Sequence, residues 1–201
     1  MTPTIAVVDY GSGNLHSVSR AIAHVGGTAV VSRDPAEIAA ADALVIPGVG
    51  HFGACMRAIC HLGIDRVIQD FRASGRPMFG VCVGMQILFE GSDEDPEPGL
   101  GIMPARVERL AADVKVPHMG WNTASWLAPH PFLEGLPDET RLYFVHSYAP
   151  PVGEGTVTTT THGSRFSAAV ARDNVFATQF HPEKSGEAGL HIYRRFVGSL
   201  A

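Results

Sequence analysis

Short apolar runs alternate with helical patterns through the first half of the sequence, and this alternation constrains the fold more than any other feature. The apolar runs predict buried strands at residues 5–8, 29–31, 44–46 and 77–81. Helical patterns cover residues 14–24, a stretch that begins at Pro35, and residues 56–71 with a break near Gly63. The first strand is predicted to end in a turn at residues 11–13. Strands that alternate with helices favour a parallel sheet covered on both faces.

The second half has a different pattern, in which Pro and Gly separate short alternating runs. These runs predict strands at residues 105–110, 123–127, 142–147, 157–161, 166–172 and 175–179, followed by an amphipathic helix at 189–200. The acidic, Pro-rich stretch 92–98 is predicted to be a surface loop between the halves. The expected fold class is therefore α/β, a mostly parallel central sheet flanked by helices, with additional antiparallel or mixed strands in the second half.

Length, charge and cysteine content narrow the class of protein. The 201 residues suffice for one domain, residues 1–201, with a substantial core, and two small domains are the alternative. A net charge of −5 gives no electrostatic reason to expect nucleic acid or an anionic membrane as partner. No apolar run is long enough to span a bilayer, and no basic segment of a signal peptide is present. Three cysteines do not make a disulfide framework, which favours a cytoplasmic protein.

Residues 78–86, with the sequence MFGVCVGMQ, have the pattern of a nucleophile elbow. An apolar strand runs into a tight turn at Cys82, and Gly80 and Gly84 allow strand and helix to pack closely around it. We expect the sulfur to lie above the carboxyl ends of the strands, with the following helix favouring its thiolate. The Val83 N–H is placed to stabilise an oxyanion. The alternative is a buried core cysteine, which needs no such turn.

The other two cysteines are predicted to be structural. Cys55 and Cys60 are five residues apart in a helical stretch, so they face different sides and form neither a CxxC motif nor a metal clip. The sequence also contains no HExxH motif and no paired Cys/His spacing. We therefore predict no metal site and no cofactor.

His181 and Glu183 follow a predicted buried strand, which Pro182 ends. In extended backbone, residues i and i+2 point to one side, so Glu183 can fix one imidazole nitrogen and leave the other for the sulfur. A solvated turn with a surface histidine and glutamate explains this segment equally well by itself. The elbow at Cys82 shifts the interpretation to a catalytic base and its orienting carboxylate.

Six segments, in order along the chain, resemble a known enzyme family. GVCVGMQ at 80–86 and FHPEK at 180–184 resemble the class I, triad-type glutamine amidotransferases, which have a flavodoxin-like sheet. More narrowly, the chain resembles the family of glutaminase subunits of imidazole glycerol phosphate synthase, in histidine biosynthesis. That resemblance rests on DYGSGNL at 9–15, PGVGHF at 47–52, PHMGWN at 117–122 and YFVHSY at 143–148.

The resemblance implies hydrolysis of glutamine to glutamate and ammonia. Cys82 would attack the side-chain amide, His181 would protonate the departing ammonia, and water would hydrolyse the glutamyl thioester. The second oxyanion donor would lie in the 47–50 loop, at Val49 or Gly50. Glutamine would be held by Gly50, Gln86, Glu94, His146, Ser147 and Tyr148. Gln86 has independent support, because it lies one helical turn past Cys82, whereas a solvated charge is the default for Glu94 in its acidic loop.

The resemblance also implies a partner, a TIM-barrel cyclase that receives ammonia through a sealed passage and makes imidazole glycerol phosphate and AICAR. A sealed passage has a physical purpose, because free ammonia would be protonated and lost in water. The residues implied near this contact are Asn14, Met119, Trp121, Tyr143 and Lys184. Core packing is the alternative for Trp121 and Tyr143, since both residue types are common in cores and in interfaces.

Two other functions are alternatives to this one. A glutaminase of a different synthase or a γ-glutamyl hydrolase would use the same triad, but the segment at 116–122 and the small size favour the histidine pathway. A non-catalytic regulatory module with a reactive thiol would be expected to lack the pair formed by His181 and Glu183.

Overall fold

The computed structural model describes residues 3–11 and 13–200, so Ser12, at the centre of the turn predicted at 11–13, lies outside the described residues. The strands in this part of the chain are β1 (Thr4–Val8), β2 (Thr28–Ser32), β3 (Ala43–Ile46), β4 (Met78–Val81), β5 (Gly91–Ser92), β6 (Asp95–Pro98), β7 (Arg106–Arg109), β8 (His118–Trp126), β9 (Thr140–His146), β10 (Tyr148–Ala149), β11 (Thr156–His162), β12 (Ser164–Arg172) and β13 (Val175–Thr178). The helices are α1 (Leu15–His24), α2 (Pro35–Ala39), α3 (Phe52–His61), α4 (Ile64–Ala73), α5 (Val83–Gln86) and α6 (Gly186–Gly198), and a 3-10 turn covers Pro182–Lys184.

The larger sheet combines a parallel half with an antiparallel half. Its strand order is β2-β1-β3-β4-β13-β12-β11-β8-β9. The pairings from β2 through β13 are parallel, and those from β13 through β9 are antiparallel. A smaller sheet has the order β10-β7-β5-β6. The predicted α/β class, with antiparallel strands added by the second half of the chain, is confirmed.

The apolar pattern of the helices explains how they cover the parallel strands. In α4 the buried residues are Ile64, Val67, Ile68 and Phe71, which is one face of a helix. In α6 they are Gly189, Ile192, Tyr193 and Phe196. The Phe79 ring on β4 packs against Phe176, Tyr193 and Phe196, with ring centroids 5.2 to 5.5 Å apart. None of the helices in the described ranges is long and apolar enough to cross a membrane.

The prediction of a surface loop at 92–98 is wrong. Residues 91–98 instead form the hairpin of β5 and β6, and Ser92 is buried. The polar and Pro-rich composition misled the prediction because β6 is an edge strand, where alternate residues face solvent and Pro is tolerated. The predicted helical stretch at 56–71, with its break near Gly63, is confirmed as α3 and α4, although α3 begins earlier, at Phe52, and Gly63 separates the helices with a positive φ of 69°.

The parallel strands bring three chain segments to one edge of the sheet. Val81 at the end of β4 pairs with Thr178 at the end of β13, and Ile46 at the end of β3 pairs with Gly80. The residues that follow these strands therefore emerge side by side. Ligands bind at this carboxyl edge in open α/β sheets.

Candidate active site

Cys82 lies at a strained turn between β4 and α5. Its φ is 55° and its ψ is −111°, and its N–H donates to the Thr178 carbonyl at 2.7 Å. A positive φ is costly for a residue with a side chain and is retained where the surroundings impose it. A Cβ at Gly84 would lie 1.8 Å from the Ile46 carbonyl oxygen, and one at Gly80 would lie 2.7 Å from the Gly84 oxygen. The predicted elbow geometry is therefore present, and close backbone packing explains both glycines.

We expect Gly84→Ala to destabilise the protein by about 3 kcal/mol or more, because its methyl group would overlap a backbone carbonyl that cannot move without displacing β3. Urea unfolding would measure this change. Gly198→Ala is the control, since a Cβ there meets nothing within 4 Å at the end of α6. That variant should be as stable as the parent or slightly more stable. Equal stabilities for the two variants would contradict the packing argument.

The helix that follows Cys82 is short. Only Val83–Gln86 are helical, so α5 is a single turn. The macrodipole of one turn contributes less to a thiolate than a long helix would. Val83 provides one of the first N–H groups of this turn, which lack partners within the helix.

His181 and Glu183 form a buried pair. Nδ1 of His181 lies 2.7 Å from Oε1 of Glu183, and neither side chain is exposed to solvent. The same Oε1 accepts a hydrogen bond from the Asn14 side chain. Glu183, in the 3-10 turn, is thus held against the start of α1. The predicted contact between His181 and Glu183 is present, although residues 182–184 form a 3-10 turn rather than extended backbone.

The second imidazole nitrogen of His181 faces the cysteine side. Nε2 is buried and has no hydrogen-bond partner in the described part of the chain. Burial alone would lower the pKa of His181, but the nearby Cys82 sulfur and the Glu183 carboxylate outweigh burial and raise the pKa to about 10. The pair therefore favours a protonated imidazole, which has a proton at Nε2 to donate towards the sulfur side.

One cavity of about 340 Å³ contains Cys82 together with every residue that the resemblance assigned to glutamine binding. Its lining comprises Val49, Gly50, Cys82, Val83, Gln86, Glu94, Pro117, Val145, His146, Ser147 and Tyr148. A larger cleft of about 810 Å³ lies around Gln69, His130 and Asn174 and contains none of these groups. The smaller cavity is the candidate site, because it holds the strained thiol.

Glu94 is held in place rather than solvated. Its Oε2 accepts a hydrogen bond from the Phe52 N–H at 2.8 Å, at the first residue of α3. A carboxylate at a helix N-terminus satisfies donors that the helix leaves unpaired. The default expectation from the sequence, that Glu94 is a solvated charge, is therefore wrong.

Sequence reasoning missed Gln179. Its side chain is fully buried, and its Nε2 lies 3.7 Å from the Cys82 sulfur. Its Oε1 accepts from Gln86 Nε2 at 3.0 Å. A buried polar residue two positions before His181, after an apolar strand, was the available signal. Pro117 and Val145 were also missed as lining residues, and no chemical feature of their side chains distinguishes them in the sequence.

The residues implied at a partner contact lie beside the buried pair, where Asn14 and Tyr143 are partly buried and the others are exposed. Met119 is 64% exposed and Trp121 is 50% exposed, which rules out core packing for Trp121. The rings of Trp121 and Tyr143 are 6.1 Å apart, and the Lys184 ammonium lies 5.9 Å from the Tyr143 ring centroid. We call Met119, Trp121, Tyr143 and Lys184 the aromatic patch. Asn14 contacts Glu183 behind it.

Cys55 and Cys60 lie on different sides of α3, as predicted. Cys55 is buried, and burial raises the pKa of its thiol to about 11. Cys60 is exposed. Within residues 3–11 and 13–200, no group of three His, Cys, Asp or Glu residues is arranged to hold a metal ion.

Comparisons with known proteins identify the family of the chain. Residues 6–199 match the family model of the class-I glutamine amidotransferases. Subunit HisH of imidazole glycerol phosphate synthase from Thermobifida fusca is 48% identical over all of both chains. The HisH subunit of Aromatoleum aromaticum is 48% identical over 96% of this chain and 97% of its own, and that of Corynebacterium glutamicum is 45% identical over the whole of both.

Solved structures show the same fold at lower identity. PurLQS from Thermotoga maritima contains a chain with a TM-score of 0.79 and 19% identity, covering 100% of both chains. A glutamine amidotransferase structure has a TM-score of 0.75 and 24% identity, covering 96% of this chain and 98% of the other. The full-length sequence matches and the strained cysteine at the sheet edge together lead to one conclusion: the chain belongs to the class-I glutamine amidotransferases, in the group of HisH subunits of imidazole glycerol phosphate synthase.

Proposed function

We propose that this enzyme hydrolyses glutamine to glutamate and ammonia through a Cys82 thioester and delivers the ammonia to a TIM-barrel cyclase that makes imidazole glycerol phosphate and AICAR. The observation that carries the proposal is that His181, held by Glu183 at 2.7 Å, lies beside the Cys82 thiol, which lines a cavity of about 340 Å³. Relatives that are 45–48% identical over 97–100% of their length carry the name of this synthase subunit.

In the first half of the proposed reaction, the Cys82 thiolate attacks the carbon of the glutamine side-chain amide. The negative charge that develops on the amide oxygen would be stabilised by the Val83 N–H and by an N–H from Val49 or Gly50. The C–N bond then breaks while His181 gives its Nε2 proton to the leaving nitrogen, releasing ammonia. The raised pKa of His181, to about 10, suits this donation because the imidazole begins the step protonated.

In the second half, water attacks the glutamyl thioester. His181, now neutral, accepts a proton from the water, the C–S bond breaks, and glutamate leaves as the thiolate re-forms. Glu183 keeps Nδ1 protonated and Nε2 directed at the reacting groups through both halves. Glutamine itself would be held by Gly50, Gln86, Glu94, His146, Ser147 and Tyr148, which line the cavity.

The proposed cyclase docks on the aromatic patch, with Asn14 nearby. An exposed Trp beside a partly buried Tyr has the composition of an interface centre, and the adjacent Lys184 suits a polar rim. Docking there would cover the end of the site at which His181 and Glu183 lie, and would keep ammonia away from water. We further propose that the whole chain, 1–201, is one glutaminase domain that works in the cytoplasm, which suits its free thiols.

Ammonia release from glutamine tests the proposal, measured on the purified chain with and without a candidate cyclase and its nucleotide substrate. We expect turnover to rise at least about tenfold with the partner, a typical coupling between two sites. Equal rates in both conditions would contradict the coupling, and no hydrolysis in either would contradict the glutaminase activity.

A pair of variants tests the docking surface in the same assay. Trp121→Ala should weaken the stimulation at limiting cyclase, because an interface Trp carries much of the binding energy. Leu127→Ala is the matched control, since Leu127 is 51% exposed and Trp121 is 50% exposed. Equal loss in both variants would argue against the aromatic patch.

A further inference from the structure

Besides His181, the Cys82 sulfur contacts two polar groups, one that favours the thiol and one that favours the thiolate. The Val145 carbonyl oxygen lies 3.9 Å from the sulfur and can accept a hydrogen bond only from a protonated thiol. Gln179 Nε2 lies 3.7 Å from the sulfur, a contact that a large sulfur atom permits, and it can donate to the thiolate. Because α5 is a single turn, its dipole offers limited help to the thiolate.

We propose that Gln179 is a further catalytic residue of the glutaminase reaction, whose side-chain N–H donates to the Cys82 sulfur and holds it as the thiolate. The inference rests on the proposed function, because a thiolate matters only if Cys82 is the nucleophile. Hydrogen bonds to a charged group are stronger than neutral ones, so this donor has a larger effect on the thiolate than on the thiol.

The direction of the Gln179 amide follows from its neighbours. The Tyr148 carbonyl only accepts, so the Gln86 amide must direct its NH₂ group there, at 2.8 Å. The second hydrogen of that NH₂ group donates to Gln179 Oε1 at 3.0 Å. With its oxygen committed to Gln86, the Gln179 amide has only its NH₂ group to direct at the sulfur.

The Tyr148 carbonyl is itself held by a chain of neutral side chains. His146 Nδ1 donates to it at 2.9 Å, so His146 Nε2 accepts from His118 Nδ1 at 3.0 Å. His118 Nε2 then accepts from Asn122 Nδ2 at 3.1 Å. Burial lowers the pKa of His146 to about 3 and that of His118 to about 4, which keeps both rings neutral near pH 7. One arrangement of protons therefore satisfies every contact from β8 to the sulfur.

The donor serves two steps of the reaction. When the Cys82 proton passes to His181, the sulfur gains the charge that the Gln179 N–H stabilises. When the thioester C–S bond breaks in the second half, the same charge returns to the sulfur as the leaving group. Replacing the amide should therefore reduce both formation and hydrolysis of the thioester.

The test is the pH dependence of Cys82 alkylation by iodoacetamide, followed by peptide mass spectrometry in a Cys60→Ser background that removes the exposed thiol. Gln179→Met keeps the volume but lacks the donor, and Gln179→Glu keeps the acceptor for Gln86 while presenting oxygen to the sulfur. We expect alkylation at neutral pH to fall about tenfold in the Met variant, the effect of one hydrogen bond to a charged group, and further in the Glu variant. The pH midpoint of alkylation should rise accordingly.

If both variants fold, as judged by urea unfolding, and keep the midpoint of the parent, the proposal is wrong. If only one variant folds, the pH midpoint of its Cys82 alkylation decides whether the proposal holds, since either substitution removes the donor. Failure of the proposed function is a separate result, because it would appear as a lack of glutamine hydrolysis by the unaltered chain with its cyclase. A purely packing role for Gln179 predicts lower stability with an unchanged midpoint.

Discussion

Cys82→Ala is expected to abolish glutamine hydrolysis, with a loss of about 10⁴-fold or more, while the fold and partner docking remain intact. Without sulfur no thioester forms, and the remaining groups can only orient water. Stability should change little, because the sulfur lines a cavity and the backbone turn is imposed by Gly80 and Gly84. Ammonia release from glutamine measures the activity. A cyclase reaction that is supplied with free ammonia does not require the thiol, so the Cys82→Ala chain should still stimulate it.

Cys60→Ala is the control for Cys82→Ala, since it removes an exposed thiol from α3. It should keep full activity. Retained hydrolysis in Cys82→Ala would overturn the assignment of the nucleophile, and a loss in both variants would point to a general effect of removing thiols.

His181→Ala is expected to reduce glutamine hydrolysis by about 10⁴-fold. The loss in Glu183→Gln should be smaller than this by a factor of about ten or more. His181 carries the proton in both halves of the reaction, whereas Glu183 orients the ring through Nδ1 at 2.7 Å. A glutamine at 183 keeps an oxygen that can accept from Nδ1, so part of the orientation survives. Single-turnover thioester formation and steady-state ammonia release measure the two variants.

Exposed residues provide the controls for this pair. His24→Ala removes a histidine from the surface of α1, and Glu187→Gln removes a carboxylate from the first turn of α6. Both should keep the activity of the parent chain. Equal losses in His181→Ala and Glu183→Gln, or a larger loss in Glu183→Gln, would contradict the ranking of the proton carrier above its orienting group.

The parallel half of the fold was predictable because its signals are local. Buried strands such as residues 5–8 and 44–46 are short and uniformly apolar, and each is followed by a helical pattern. The hairpin of β5 and β6 was not predictable in this way. Its residues are polar and rich in Asp and Pro, and only the pairing of Gly91 with Pro98 and of Ser92 with Val107 makes them strands.

Some residues of the site are recognisable from neighbours a few positions away in the sequence, whereas others are not. Gly80, Cys82 and Gly84 identify the elbow within five residues, because steric crowding acts at that distance. Glu94 and Gln179 show the opposite case. Glu94 reaches the N-terminus of α3 only through the hairpin, and Gln179 meets Cys82 only because β13 pairs with β4. No periodic pattern in the sequence predicts such contacts.

The sequence by itself determined the tight turn at the cysteine and the alternation of strands and helices in the parallel half, and it predicted the contact between His181 and Glu183. The tertiary structure decided which side chains meet across the sheet: Asn14 with Glu183, 169 positions apart, and Gln179 with Cys82, 97 positions apart. The physical reason is that backbone sterics and apolar periodicity act over a few residues. Hydrogen bonds between distant side chains exist only after strand register has placed their backbones side by side.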